Sequence, residues 1–127
     1  MKISLCMILK NEGKAIYRCL DSCKSFVDEY IIGIDESTDD NTYEEVQKFL
    51  ADNKLLNNDT KYNNNQIYYY KWQDSFSKAR NEGMEKATGD YILIMDGHEY
   101  FPEEWYNITE QRNTKSIEIM PEVLKMV

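Results

Sequence analysis

The chain has no excess of positive charge. Fifteen Lys and Arg stand against 23 Asp and Glu, for a net charge of −8. That balance argues against nucleic acid or an anionic membrane surface as the main partner. It leaves room for a phosphate ligand, because a bound cation can supply positive charge locally. The chain also has no apolar run long enough to span a bilayer as a helix. Its opening, Met1 to Leu9, is apolar but short. It lacks a small-residue cleavage site and runs into Lys10-Asn11-Glu12, so it reads as a strand rather than a signal sequence. Three cysteines make no paired framework. Cys19 and Cys23 lie one helical turn apart beside Ile16 and Leu20, and are expected as buried free thiols in a cytoplasmic protein. The dinucleotide fingerprint and the P-loop signature are both absent, so a nucleotide would not be held by a glycine-rich phosphate loop.

What is present alternates between strand and helix patterns over 127 residues, enough for one domain with one core. Ile3–Leu9, Tyr30–Ile34, Ile67–Trp72 and Tyr91–Met95 read as strands. The spacing of Ile16, Cys19, Leu20, Cys23 and Val27 predicts a helix over about Lys14 to Ser25. Thr42 and Glu45 fit a capping box ahead of a second helix with Tyr43, Val46, Phe49 and Leu50 facing in. A third helix is expected over Ser75 to Ala87, with Phe76, Ala79, Gly83 and Met84 inward and Gly89 as its stop. Asp52 to Gln66 is Asn-rich and reads as a loop, and Pro102-Glu103-Glu104 as a helix first turn. Such alternation indicates a mainly parallel sheet with helices on both faces.

Tyr91-Ile92-Leu93-Ile94-Met95-Asp96-Gly97-His98-Glu99 is the most informative stretch. A short continuous apolar run suits a strand buried on both faces. The polar groups behind it fall where open α/β sheets bind ligands. Asp96, His98 and Glu99 could together hold a divalent cation, and the cation a diphosphate. Lys10-Asn11-Glu12 and Asp35 to Asn41 follow the first two strands and should reach the same edge. Plainer readings stand beside these. Asp39-Asp40-Asn41-Thr42 could cap a helix. His98, the sole histidine, could be structural. Tyr68-Tyr69-Tyr70 could stack a ligand or simply pack, and Arg80 could be a solvated helix charge or lie near the ligand edge.

The segment Ile3 to Glu12 resembles the opening of the family 2 glycosyltransferases. Cys19-Leu20-Asp21-Ser22, Phe26-Val27-Asp28-Glu29, Ser75-Phe76-Ser77-Lys78-Ala79-Arg80-Asn81 and Ala87-Thr88-Gly89-Asp90-Tyr91-Ile92-Leu93 are similar to that family in order and spacing, over about residues 3 to 105. The resemblance implies a GT-A fold that binds a nucleotide-diphosphate sugar, with a uridine diphosphate as the expected ligand. It implies nucleoside contacts from Asp35 and Glu36 and a base contact from Arg80. It places Asp96 and His98 on the family's Asp-x-Asp motif, which touches ribose and metal. His98 stands where the family usually has aspartate, so Mn²⁺ is expected in preference to Mg²⁺, with Glu99 compensating. The family's base lies well after that motif, and 28 residues follow Glu99 here. The expectation is therefore a donor-binding half that lacks the acceptor half and its base. The complete form would transfer the sugar to an acceptor hydroxyl. The alternative is a non-catalytic binding or assembly module. Ile117, Ile119, Val123, Leu124 and Val127 in the tail suggest packing on a second copy, hence a homodimer.

Overall fold

The computed structural model describes residues 1–56, 64–102 and 124–126. Five strands form one sheet: β1 (Ile3–Leu9), β2 (Glu29–Asp35), β3 (Gln66–Tyr70), β4 (Tyr91–Ile94) and β5 (Leu124–Met126). Their order is β3-β2-β1-β4-β5. The first four run parallel, and β5 pairs antiparallel with β4. Among the described residues three helices connect them: α1 (Ile16–Cys23), α2 (Thr42–Asp52) and α3 (Phe76–Lys86). The expected parallel α/β architecture is therefore present. Among the described residues no helix is long and apolar enough to cross a membrane.

Strand β1 sits in the middle and is buried on both faces, as its largely apolar sequence requires. Its odd residues Ile3, Leu5, Met7 and Leu9 point into the main core with Tyr30, Ile32 and Ile34 of β2. Ile16, Cys19, Leu20 and Cys23 of α1 and Val46, Phe49 and Leu50 of α2 close that core. Each such side chain stabilises the fold by about 1.5–3 kcal/mol on burial. The period of two sends Cys6, Ile31 and Ile92 to the other face, under Tyr68 and Met84. Ala79 and Gly83 are the buried residues of α3. All three cysteines are free and buried, and burial pushes the Cys6 and Cys19 thiols up to about 12.

Several local expectations are corrected. Thr42 is the first residue of α2 rather than its cap, and no capping box forms. Its hydroxyl instead donates to Asp40 and accepts from the Glu12 N–H at 2.8 Å. Phe76 starts α3 but is 67% exposed, its ring set edge to face against Trp72 rather than in the core. Gly89 does not stop α3, which ends at Lys86 with Ala87 extended. Gly89 instead lets the backbone close onto β1: a Cβ there would sit 2.9 Å from the Ser4 nitrogen. Strand β3 ends at Tyr70, two residues short of the expected Trp72. The Pro102 turn lies outside the described residues beyond Pro102 itself. So does the tail, apart from Leu124–Met126, whose backbone joins this chain's own sheet.

Candidate functional site

The strand order turns around at β1: successive strands run outward to β3, then β4 returns to β1's other side. Ligands of open α/β sheets bind at such a switch point, beyond the carboxyl ends of the strands. A cavity of about 420 Å³ opens there. Residues after β1 (Lys10, Glu12), from the end of β2 (Asp35, Ser37), from the end of β3 (Tyr70, Trp72), from α3 (Phe76, Arg80) and after β4 (Asp96) line it, with Ile8 as the floor.

Two loops are tied together before any ligand arrives. Asn11 takes a left-handed backbone, φ 51°, and its side chain accepts the Asp39 N–H at 3.0 Å. Asp40 accepts the Gly13 N–H at 3.0 Å and the Thr42 N–H at 2.9 Å. The plainer reading of Asp40 is thus correct: it holds a helix start and bridges the loops after β1 and β2. Asp35 differs. It closes β2, is 6% exposed, and accepts both the N–H and the hydroxyl of Ser37 on Oδ1, at 2.8 and 2.7 Å. The Ser37 N–H foremost, then its hydroxyl and Lys10, lower the Asp35 pKa against the opposing effect of burial. Among the described residues Oδ2 accepts no hydrogen bond, so an ionised oxygen is left at the cavity wall.

Glu36 does not line the cavity. Its N–H continues the ladder to the Tyr70 carbonyl at 3.0 Å and its side chain is exposed. Strand alternation turns it away from Asp35 and brings Ser37 in instead. Arg80 does line it, with Nη2 3.7 Å from Asp96 Oδ1. Asp96 is 59% exposed at its side chain, so this pair is screened and worth little as a stabiliser.

Asp96 to Glu99 form a turn in which the Glu99 N–H donates to the Asp96 carbonyl at 3.0 Å. Glu99 Oε1 accepts the Asp96 N–H at 2.7 Å. Gly97 is required because the turn presses on β1's end: a Cβ would lie 2.7 Å from Leu9 Cδ2 and 2.9 Å from Glu12 Cγ. His98 Nδ1 stands 3.8 Å from Glu12 Oε1. Among the described residues no three His, Cys, Asp or Glu side chains gather closely enough to hold a metal ion. Asp96, His98 and Glu99 therefore share a turn without forming a closed cage.

Sequence reasoning missed Trp72 and Phe76 as cavity residues; it brought Ser37 to this edge only within the segment Asp35 to Asn41 and left Tyr70 between stacking and packing. The tyrosine run splits by alternation. Tyr68 packs toward α3, Tyr69 stacks on Tyr43 at 5.9 Å, and Tyr70 faces the cavity.

A family model described as glycosyl transferase family 2 matches residues 4–109. The chain is 37% identical over 111 residues to a TPR repeat-containing protein of Synechococcus elongatus, covering 87% of this chain and 24% of that protein. It is 33% identical over 98 residues to the SPbeta prophage-derived glycosyltransferase SunS of Bacillus subtilis, covering 77% and 20%. The chain thus spans a quarter or less of these relatives' lengths. Among solved structures it is similar to S. aureus TarS in complex with UDP, with a TM-score of 0.57 and 20% identity over 95% of this chain and 33% of that one. The mannosyltransferase PcManGT from Pyrobaculum calidifontis, in complex with GDP-Man and Mn²⁺, gives a TM-score of 0.57 and 15% identity over 82% and 29%. At these identities the structural likeness shows the fold, which is GT-A-like.

Proposed function

The chain belongs to glycosyl transferase family 2, and from that premise we propose that its cavity binds the nucleoside diphosphate of a nucleotide-sugar donor. The observation that carries this reading is the meeting of Asp35, Arg80 and Asp96 in one cavity at the sheet's switch point. UDP in TarS and GDP-Man in the mannosyltransferase support it, since both accompany the same fold. Uridine diphosphate is the ligand we assign, as a working choice among nucleotides.

The chemistry divides along the cavity. Asp35, held ionised by Ser37, is an acceptor for N–H or O–H groups of a nucleoside. Glu36, its neighbour in sequence, does not line the cavity and takes no part in this reading. Lys10 brings positive charge to a diphosphate, and Arg80, expected as a base contact, lines the same cavity in its ion pair with Asp96. In glycosyl transfer an acceptor hydroxyl oxygen bonds to the anomeric carbon. The bond from that carbon to the diphosphate breaks and its electron pair leaves with the phosphate. The acceptor's proton passes to a base. A divalent cation, when bound, neutralises charge developing on the departing diphosphate. The residues present fit such an ion in one manner. Mg²⁺ and similar ions are often held by one or two carboxylates plus substrate phosphates rather than by an all-protein cage. Asp96, open to solvent, is the carboxylate we assign to it. His98 beside it offers a nitrogen donor. Glu99 has one oxygen committed to the Asp96 N–H and retains the other.

Calorimetric titration with uridine and guanosine diphosphates, with and without Mn²⁺, tests the reading. Wild-type protein should bind at least one of them, and Asp35→Ala should weaken that binding about tenfold while leaving the circular dichroism unchanged. Absence of binding by wild type, or unchanged affinity in Asp35→Ala, would overturn it.

A further inference from the structure

Trp72 and Phe76 are large aromatic side chains that the core does not use. They are 38% and 67% exposed, and both line the cavity. They are not loose. Their rings meet edge to face at 5.0 Å and 76°. The Trp72 indole N–H donates to Asp74 Oδ1 at 3.1 Å, and Asp74 takes a left-handed backbone, φ 55°, to receive it. An uncommon backbone conformation and a side-chain hydrogen bond thus hold an exposed indole in place. Such ordering before binding lowers the entropy cost of using the ring.

The rest of the cavity indicates what the ring would meet. Arg80 and Asp96 form an ion pair on the α3 and β4 side, and Lys10 follows β1. Asp35, Ser37 and Tyr70 come from the adjoining ends of β2 and β3, and Trp72 follows β3 directly. The one cavity therefore offers charges suited to a diphosphate and its cation together with a fixed aromatic pair and a buried ionised carboxylate. A nucleobase has both features that the pair and the carboxylate would recognise, a planar π face and N–H groups at its edge.

We propose that Trp72, braced by Phe76 and Asp74, is the stacking wall for the base of the nucleotide donor. This rests on the nucleotide-binding reading above and adds to it the residue that grips the base. Base–aromatic stacking is commonly worth about 1–3 kcal/mol, which corresponds to roughly five- to 150-fold in affinity.

The test uses uridine diphosphate and, separately, inorganic pyrophosphate with Mn²⁺. Trp72→Ala should weaken uridine diphosphate about tenfold and leave pyrophosphate affinity unchanged. Trp72→Tyr should recover most of the loss, and Trp72→Leu, which keeps apolar bulk, should not. Circular dichroism of each variant checks that it is folded. The sequence has two tryptophans, the other being Trp105. In a Trp105→Phe background, nucleotide should therefore quench the remaining indole fluorescence, whereas pyrophosphate should not. The proposal is overturned if folded Trp72→Leu binds the nucleotide as tightly as wild type. It is also overturned if pyrophosphate weakens in parallel with the nucleotide. Failure of wild type to bind any nucleotide would overturn both readings. Normal wild-type binding that Trp72→Leu does not alter would overturn this one alone.

Discussion

Strand β2 carries a carboxylate at each end, and the two have opposite surroundings. Glu29 opens the strand at the amino edge of the sheet and is 1% exposed. It accepts from the Ser4 hydroxyl at 2.7 Å, the Thr88 N–H and hydroxyl at 2.8 and 2.5 Å, and the Asn64 amide at 3.1 Å. Lys2 Nζ adds an ion pair at 3.2 Å. The Ser4 oxygen in turn accepts the Gly89 N–H at 2.9 Å. Asp35 closes the same strand with one oxygen held by Ser37 and the other at a cavity. A buried carboxylate whose oxygens are all answered from within the fold ties β1, β2 and the turn before β4 together. A buried carboxylate answered on one side only is poised for a ligand. Burial alone does not separate the two roles; the count of unmet acceptor sites does.

The largest expected effect is on stability at the amino edge. Glu29→Ala leaves the Ser4 and Thr88 donors and the Lys2 ammonium without their partner, a loss on the order of 3 kcal/mol. Asp35→Ala should cost less than about 1 kcal/mol, since only Ser37 loses a partner. Urea denaturation of the two variants reads the contrast, and comparable losses would erase the distinction drawn between the ends.

Acid titration sharpens it. Burial raises the Glu29 pKa, but the hydrogen bonds from Thr88, Ser4 and Asn64 outweigh it and bring the group from 4.5 down to about 2. A depressed folded-state pKa means the stabilisation is complete above the unfolded value and is lost as pH falls from about 4.5 through about 2. The shift corresponds to at most about 3 kcal/mol. In wild type, stability followed by urea midpoint should drop steeply across that window, and Glu29→Gln should flatten the slope. An identical slope in Glu29→Gln would show that other carboxylates govern acid unfolding.

The next effect is at the carboxyl edge. Gly97→Ala would force a Cβ against Leu9 and Glu12, displacing the turn that presents Asp96. Nucleotide affinity in the presence of Mn²⁺ should fall several-fold, with about 1 kcal/mol lost in stability. If affinity is retained, the position of Asp96 matters less than the site geometry implies.

What was legible in the sequence follows from how local each signal is. Strands β1 to β4 announce themselves as apolar runs, whereas Ser75, expected as the first residue of α3, is its cap, its hydroxyl accepting the Lys78 N–H at 3.2 Å. The switch-point carboxylates Asp35 and Asp96 follow from their places after strands. Thr42 was misread because the Glu12 N–H, thirty residues earlier, takes its hydroxyl oxygen, while Asp40 accepts its own N–H. Phe76 fits the inward helical period but lines the cavity against Trp72, a pairing no local pattern records. Strand β5 is three residues pairing with β4 from far along the chain, so nothing in its own sequence marks it. The Glu29 network draws on Lys2, Ser4, Asn64 and Thr88, and only the folded chain brings these together.

The smallest and most specific effect concerns His98, four residues beyond the end of β4. Its imidazole stands beside Glu12 and next to the Asp96 carboxylate in sequence, so it can add one nitrogen to an ion held by Asp96 and phosphate oxygens. Mg²⁺ favours six oxygens in near-ideal octahedral geometry, whereas imidazole suits softer transition metals. Nucleotide-loaded wild type should therefore bind Mn²⁺ more tightly than Mg²⁺. His98→Ala should lower Mn²⁺ affinity a few-fold and barely change Mg²⁺ affinity. His98→Asp should raise Mg²⁺ affinity, because it replaces the nitrogen with a hard oxygen at the same turn. Calorimetry with both ions on the three proteins gives the comparison. Equal Mn²⁺ affinity in wild type and His98→Ala would place His98 outside the ion's ligands. It would leave the ion with Asp96 as the side chain we assign to it.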